Sequence, residues 1–100
     1  MSIEKNKEIA ELAVESYRNK QSFYQQETHP LFWAQTEKNI ADIYYYLGKD
    51  LENTAYLEKA TDTYLNALDV FEELGDTTHI QMIENALKKA DDKFLSSNKK

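Results

Sequence analysis

Apolar side chains recur every three or four residues along four segments of the chain. This spacing matches the 3.6-residue period of an α-helix, so each segment is predicted to be a helix with one apolar stripe facing its neighbours. The stripes are Ile9, Leu12, Ala13 and Tyr17; Trp33, Thr36, Ile40, Ile43 and Leu47; Leu57, Ala60, Tyr64, either Ala67 or Leu68, Phe71 and Leu74; and Ile80, Ile83, Leu87, Ala90 and Phe94.

Three backbone-breaking residues separate the four segments. Pro30 is suited to the first turn of a helix, and Gly48 and Gly75 are suited to the left-handed position that ends one. Thr78 and Gln81 have the spacing of a capping box at the start of the last segment. The predicted helices span residues 3–26, 30–47, 50–74 and 77–95, followed by a frayed tail at 96–100.

The composition narrows the fold to a single all-α domain. One hundred residues suffice for one domain, and two Gly and one Pro are too few for a many-turned β sandwich. The absence of Cys excludes disulfides, thiolate nucleophiles and Cys-based zinc sites. We therefore predict antiparallel helical hairpins, about four helices in all.

The charge is acidic and unevenly distributed. The chain has a net charge of −6, made up of −1 over residues 1–30, −8 over 31–87 and +3 over 88–100. This balance argues against a nucleic-acid binder. No apolar run approaches a membrane span, and the first residues lack the apolar region of a secretory signal. The expectation is a cytoplasmic protein that binds neither nucleic acid nor membrane.

Catalytic motifs are missing from the sequence. It contains no nucleophile elbow, phosphate loop or dinucleotide fingerprint. His29 precedes a proline and His79 opens a helix, so neither has the mid-helix position of a phosphotransfer histidine or the pairing of a metal ligand. We expect a protein without enzymatic activity, cofactor or metal; a phosphotransfer bundle is a remote alternative.

The middle of the chain resembles the tetratricopeptide repeat family. The matching residues are Ile40, Ala41 and Tyr44 in the first helix of the repeat and Ala60, Tyr64 and Ala67 in the second. An internal match at an offset of 47 residues, which aligns Tyr17 with Tyr64 and Glu37 with Glu84, supports a repeated helix pair. The chain is similar to the variety found in kinesin light chains and bacterial adaptors.

This resemblance implies a right-handed stack in which residues 30–75 form one complete repeat. Residues 3–26 would be a preceding second helix, and 77–95 a following or capping first helix. The spacing from Gly48 to Ala60 exceeds that of the standard 34-residue unit by about two helical turns, so the second helix is expected to be lengthened at its N-terminal end.

The resemblance also implies a non-catalytic protein-interaction module, an adaptor or scaffold, with a peptide groove on the second helix of the chain. The residues placed there are Gln35, Lys38, Asn39, Asp42, Tyr45 and Tyr46. In this interpretation Asn39 bonds a ligand backbone, and the tyrosine rings supply flat apolar contact. Lys38 and Asp42 pair with charged side chains of the partner, with an Arg or Lys as the complement of Asp42. The partner is expected to be a protein or peptide of basic or amphipathic character.

A structural role is the main alternative. The same tyrosine-rich face would then be the interface of a homodimer or the closed core of a four-helix bundle. Trp33 is expected in the core, whereas Phe23 and Phe32 are candidates for exposed contact surface. The first helix lacks a partner helix of its own, which leaves an apolar edge to be covered.

Overall fold

The fold consists of four α-helices joined by short turns. A computed structural model describes the backbone of residues 3–98 and the side chains of residues 5–96. The helices are α1 (Ile3–Phe23), α2 (Pro30–Asp50), α3 (Thr54–Leu74) and α4 (Thr77–Asn98), and no strand occurs within this range. Consecutive helices pack as antiparallel hairpins in an envelope of 41 × 26 × 17 Å. The predicted all-α hairpin architecture is confirmed.

Among the helices of this described part, none combines the length and apolar character needed to cross a membrane.

Two of the predicted helix boundaries are confirmed in detail. Pro30 is the first residue of α2, where its missing N–H costs no hydrogen bond. Gly75 ends α3 in the left-handed conformation, with φ of 67°, and its N–H donates to the carbonyl oxygen of Glu72 at 3.1 Å.

The start of α4 is capped differently from the prediction. Asp76, not Thr78, is the capping residue: one of its carboxylate oxygens accepts from the backbone N–H of His79 at 3.1 Å, and the other lies 2.6 Å from His79 Nδ1. The predicted Thr78–Gln81 capping box is wrong, because the helix begins at Thr77. A carboxylate at this position also offsets the positive end of the helix dipole.

Gly48 does not end α2. The helix continues through it to Asp50, and the residue with positive φ in the following turn is Glu52, at 50°. Asn53 then caps α3, since its side chain accepts from the N–H of Ala55 at 2.9 Å. Gly48 is buried against Leu57 instead, so its role is to let α2 and α3 approach closely.

Other boundaries differ by a few residues. α1 ends at Phe23 rather than at residue 26, and α4 runs to Asn98, so that 96–98 are helical rather than frayed. Residues 99 and 100 lie outside the described range. The second helix of the predicted repeat, α3, was expected to be extended at its N-terminal end, but a turn at 51–53 lies there. α2 and α3 therefore each contain 21 residues.

The core lies between α2, α3 and α4. The interface of α2 with α3 is the largest, that of α3 with α4 is next, and α2 and α4 meet over a narrow contact. Fully buried alanines allow the close spacing, and the large side chains of Tyr64, Phe71 and Ile83 fill the centre. The buried alanines are Ala34, Ala41, Ala60, Ala67 and Ala90.

α1 is attached through polar groups more than through its predicted apolar stripe. Ile9 and Leu12 are 52% and 64% exposed, so the stripe predicted for this helix is wrong in part. Among the side chains of α1 from residue 5 onward, those of Val14 and Gln21 are buried. α1 is rotated about its axis relative to the prediction, which lets its polar side chains reach a buried carboxylate on α2.

That carboxylate is Glu37, which is 1% exposed. It accepts hydrogen bonds from Arg18, from Gln21 Nε2 at 2.9 Å and from Asn66 Nδ2 at 3.3 Å. Gln21 also donates to the backbone carbonyl of Trp33 at 3.3 Å. One buried charge therefore joins α1, α2 and α3, and all its oxygens are satisfied, as burial of a carboxylate requires.

The cap of α4 predicts part of the acid sensitivity of the fold. The N–H of His79 holds the pKa of Asp76 below its usual 3.8, with a further contribution from the His79 ring. Because the folded pKa is the lower one, this stabilisation is present above pH 3.8 and is lost as the pH falls through the folded value. The Asp76→Asn variant keeps a capping oxygen but does not titrate.

We therefore expect the melting-temperature difference between the wild type and Asp76→Asn to favour the wild type at pH 7 and to shrink at about pH 2. Circular dichroism melts at the two pH values measure it. A difference that stays constant over this range would contradict the assigned role of Asp76.

Candidate functional site

The residues predicted to bind a partner all lie on one side of α2. Asn39 and Tyr46 are exposed, and the remaining four are half-buried. The neighbouring side of α4 contains Met82, Ala86, Lys89 and Lys93, whose spacings of four, three and four positions place them on one side of that helix. These two sides form the α2–α4 face, which consists of Gln35, Lys38, Asn39, Asp42, Tyr45, Tyr46 and Lys49 from α2 and Met82, Ala86, Lys89 and Lys93 from α4.

A small cleft of about 100 Å³ lies in this face. It brings together Asp42, Tyr45 and Tyr46 from the predicted set, and also three residues that the sequence did not assign to this face. These are Tyr64 from α3 and Ala86 and Lys89 from α4. Tyr64 was assigned to the core by its period, and that is also where its ring lies; only its hydroxyl reaches the cleft.

Asp42 is already engaged within the fold. One carboxylate oxygen lies 2.9 Å from Lys38 Nζ, and the other accepts a hydrogen bond from the Tyr64 hydroxyl. Burial and this bond to Asp42 raise the pKa of Tyr64 above its usual value. Lys38 and Asp42, which were expected to pair with charges on a partner, pair with each other.

Asn39, Tyr45 and Tyr46 remain available to a ligand. Tyr46 is 57% exposed and meets the ring of Tyr45 edge-on, with centroids 5.6 Å apart. The side chain of Asn39 makes no hydrogen bond to any other described residue. Lys49 Nζ lies 5.8 Å from the centre of the Tyr46 ring. The exposed part of the face thus combines an amide, two rings and a cation.

The aromatic residues at the turn between α1 and α2 form a second exposed group. Phe23 is 79% exposed and Phe32 is also exposed, as predicted. Tyr24 contacts Phe32 with ring centroids 4.6 Å apart and meets His29 edge-on at 5.2 Å. Trp33, in contrast, packs partly buried against the core, as expected.

Both histidines lie at a turn or at the start of a helix and contact a neighbouring polar side chain. His29 lies in the turn before α2, where Nδ1 is 2.9 Å from the Thr28 hydroxyl. His79 is bonded to Asp76 and stacks on Phe71, with centroids 4.5 Å apart and planes inclined by 9°. Within the described range, no three His, Asp or Glu side chains converge as a metal site would require.

Comparison with known proteins gives no relative: no family model, no curated protein and no solved structure matches this chain. The resemblance to tetratricopeptide repeats therefore depends on the residue pattern alone and stays a prediction.

Proposed function

We propose that this protein is a non-catalytic interaction module, of the tetratricopeptide-repeat kind, that binds a peptide or helical segment of a partner protein on its α2–α4 face. The observation that carries the proposal is the exposure of Asn39 and Tyr46 beside the half-buried ring of Tyr45. Tyrosine rings supply contact area at small entropic cost, and an amide can bond a ligand backbone in either direction.

The arrangement of the helices supports this use of the face. α2 and α4 both run antiparallel to α3, so they are parallel to each other and meet over only a narrow contact. Their outward sides form the α2–α4 face, on which an elongated ligand can lie. The fold does not depend on Asn39 or on most of the Tyr46 ring, because both are exposed.

Paired variants test this proposal. We expect Asn39→Ala/Tyr46→Ala to weaken capture of a partner by about 30-fold, because an aromatic anchor at an interface contributes about 2 kcal/mol. The control is Leu65→Ala/Asp69→Ala, which removes one large apolar and one polar exposed side chain from α3. The comparison uses affinity capture followed by titration of each captured protein against both variants.

Asp42→Ala is unsuitable for this purpose, since it would also remove the acceptor of the Tyr64 hydroxyl. If the captured partners bind Asn39→Ala/Tyr46→Ala as tightly as the wild type, the α2–α4 face is not the binding site.

Self-association is the second candidate function. Exposed apolar residues of α1 favour it, since Ile9, Leu12 and Phe23 leave that helix without apolar cover on its outer side. Of the two tyrosines considered for a dimer interface, Tyr46 is exposed and Tyr45 is half-buried. A tight dimer in light scattering, with Tyr46 protected from chemical modification, would favour the structural alternative over the binding groove.

A further inference from the structure

The α2–α4 face is cationic although the chain is acidic. It contains four lysines, Lys38, Lys49, Lys89 and Lys93, and the carboxylate of Asp42, while Asp50 and Asp92 border it one turn beyond Tyr46 and Lys89. The whole chain has a net charge of −6. The acidic character of residues 31–87 therefore belongs to other surfaces.

The charges on this face are not neutralised internally, apart from one pair. Asp42 compensates Lys38 at 2.9 Å. Lys49, Lys89 and Lys93 have no carboxylate of the described residues within salt-bridge distance, and the contact of Lys49 is with the Tyr46 ring. Three lysines of the face therefore have no salt bridge to a described residue and can contact a ligand.

Two carboxylates of α3 lie on a different side. Glu58 and Asp62 line a separate depression together with Asp91 of α4. At physiological ionic strength, charges are screened beyond about 8 Å, so a ligand on the α2–α4 face interacts mainly with the lysines of that face. A basic segment would be repelled there, and an acidic one attracted.

The apolar part of the face limits the ligand further. Tyr45, Tyr46 and Ala86 meet at the cleft, and Met82 is exposed one turn before Ala86 on α4. A ligand that satisfies both features has apolar residues on one side, flanked by carboxylates. An amphipathic helix has this pattern when its apolar stripe is bordered by Glu or Asp.

We infer that the partner segment is an acidic amphipathic helix, with its apolar stripe on Tyr45, Tyr46 and Met82 and its carboxylates on Lys49, Lys89 and Lys93. This inference depends on the proposed function and reverses the basic partner expected from Asp42. It applies to side-chain carboxylates along the helix, so it requires no free C-terminus on the ligand.

Two synthetic peptides of the same length test the inference. Both have Leu at the same positions with helical spacing, and they differ only in having Glu or Lys at the flanking polar positions; both are acetylated and amidated. Binding is measured by fluorescence anisotropy at low and high salt, and the site is located by NMR chemical-shift changes on the full chain. We expect the acidic peptide to bind at least about tenfold more tightly, with an affinity that falls as salt increases.

Adjacent lysines provide a matched control. Lys89 lines the cleft, whereas Lys88 points about 100° away around α4 and does not line it. Lys89→Glu is expected to weaken the acidic peptide about tenfold, and Lys88→Glu by less than about twofold, although both change the net charge equally. Equal losses for the two variants would indicate non-specific attraction and overturn the site.

The remaining outcomes separate this inference from the proposed function. If the basic peptide binds as well as or better than the acidic one, and shifts Asn39 and Tyr46, the groove stands and the acidic partner is wrong. If neither peptide shifts these residues, both proposals fail. If the unliganded chain forms a dimer that Lys89→Glu dissociates, the occupant is a second copy, and the acidic helix is again wrong.

Discussion

Replacing Gly48 by alanine is expected to lower the free energy of unfolding by about 3 kcal/mol. A Cβ at this position would lie 2.7 Å from two side-chain carbons of Leu57 and 2.9 Å from its backbone nitrogen. Leu57 is fully buried, and its backbone cannot yield without moving α3. The usual gain of a Gly→Ala change inside a helix, about 1 kcal/mol, is too small to offset this overlap.

Gly75→Ala is the matched control for that experiment. Its Cβ would meet nothing within 4 Å, so the only cost is the left-handed conformation at φ of 67°, about 1 kcal/mol. Urea denaturation of both variants gives the comparison. A Gly48→Ala protein as stable as Gly75→Ala would show that the contact between α2 and α3 relaxes freely.

Replacing Glu37 by alanine is expected to cost about 2 kcal/mol and to loosen α1 before the rest of the fold. The change leaves Gln21 and Asn66 without their shared acceptor and opens space between three helices. Arg18 loses its partner too, but its side chain is partly exposed and can be hydrated, so the cost stays below that of a fully buried pair.

Hydrogen exchange identifies which helix responds. α1 has the smallest interface with its neighbour among the three hairpin pairs, so its amides should lose protection first. The control is Glu84→Ala, the position aligned with Glu37 in the internal match but exposed, for which we expect less than about 0.5 kcal/mol. Uniform loss of protection across all four helices would contradict the anchoring role of Glu37.

Glu37 and Glu84 differ in burial, and the sequence could not predict this difference. Both glutamates have the same place in the repeated pattern, yet one is buried in a three-helix network and the other faces solvent. The hydrophobic period of a segment identifies which residues share one side of a helix, but it does not show which other helix packs on that side. Glu37 is covered by α3 and by α1, and its partners on α1 are Arg18 and Gln21, which look like ordinary surface residues in the sequence.

The residues of the candidate site were also predicted only in part. The spacing on α2, together with the family resemblance, placed six residues on one face, and the structure does bring them to one side of that helix. The hydroxyl of Tyr64 and the lysines of α4 could not be assigned to that face, because they come from helices whose rotation relative to α2 is a tertiary property. The positive charge of the face depends on these lysines.

By itself, the sequence determined the four helices, the Pro30 start of α2, the Gly75 end of α3 and the apolar stripes of α2, α3 and α4, except for Leu74, which is 45% exposed. These follow from local periodicity and from backbone preferences of single residues, which act within a few positions of the chain. The tertiary structure alone decided the packing role of Gly48, the polar attachment of α1 and the cationic character of the α2–α4 face. Each of these depends on distances between residues far apart in sequence, which are determined by side-chain packing between helices rather than by any local preference.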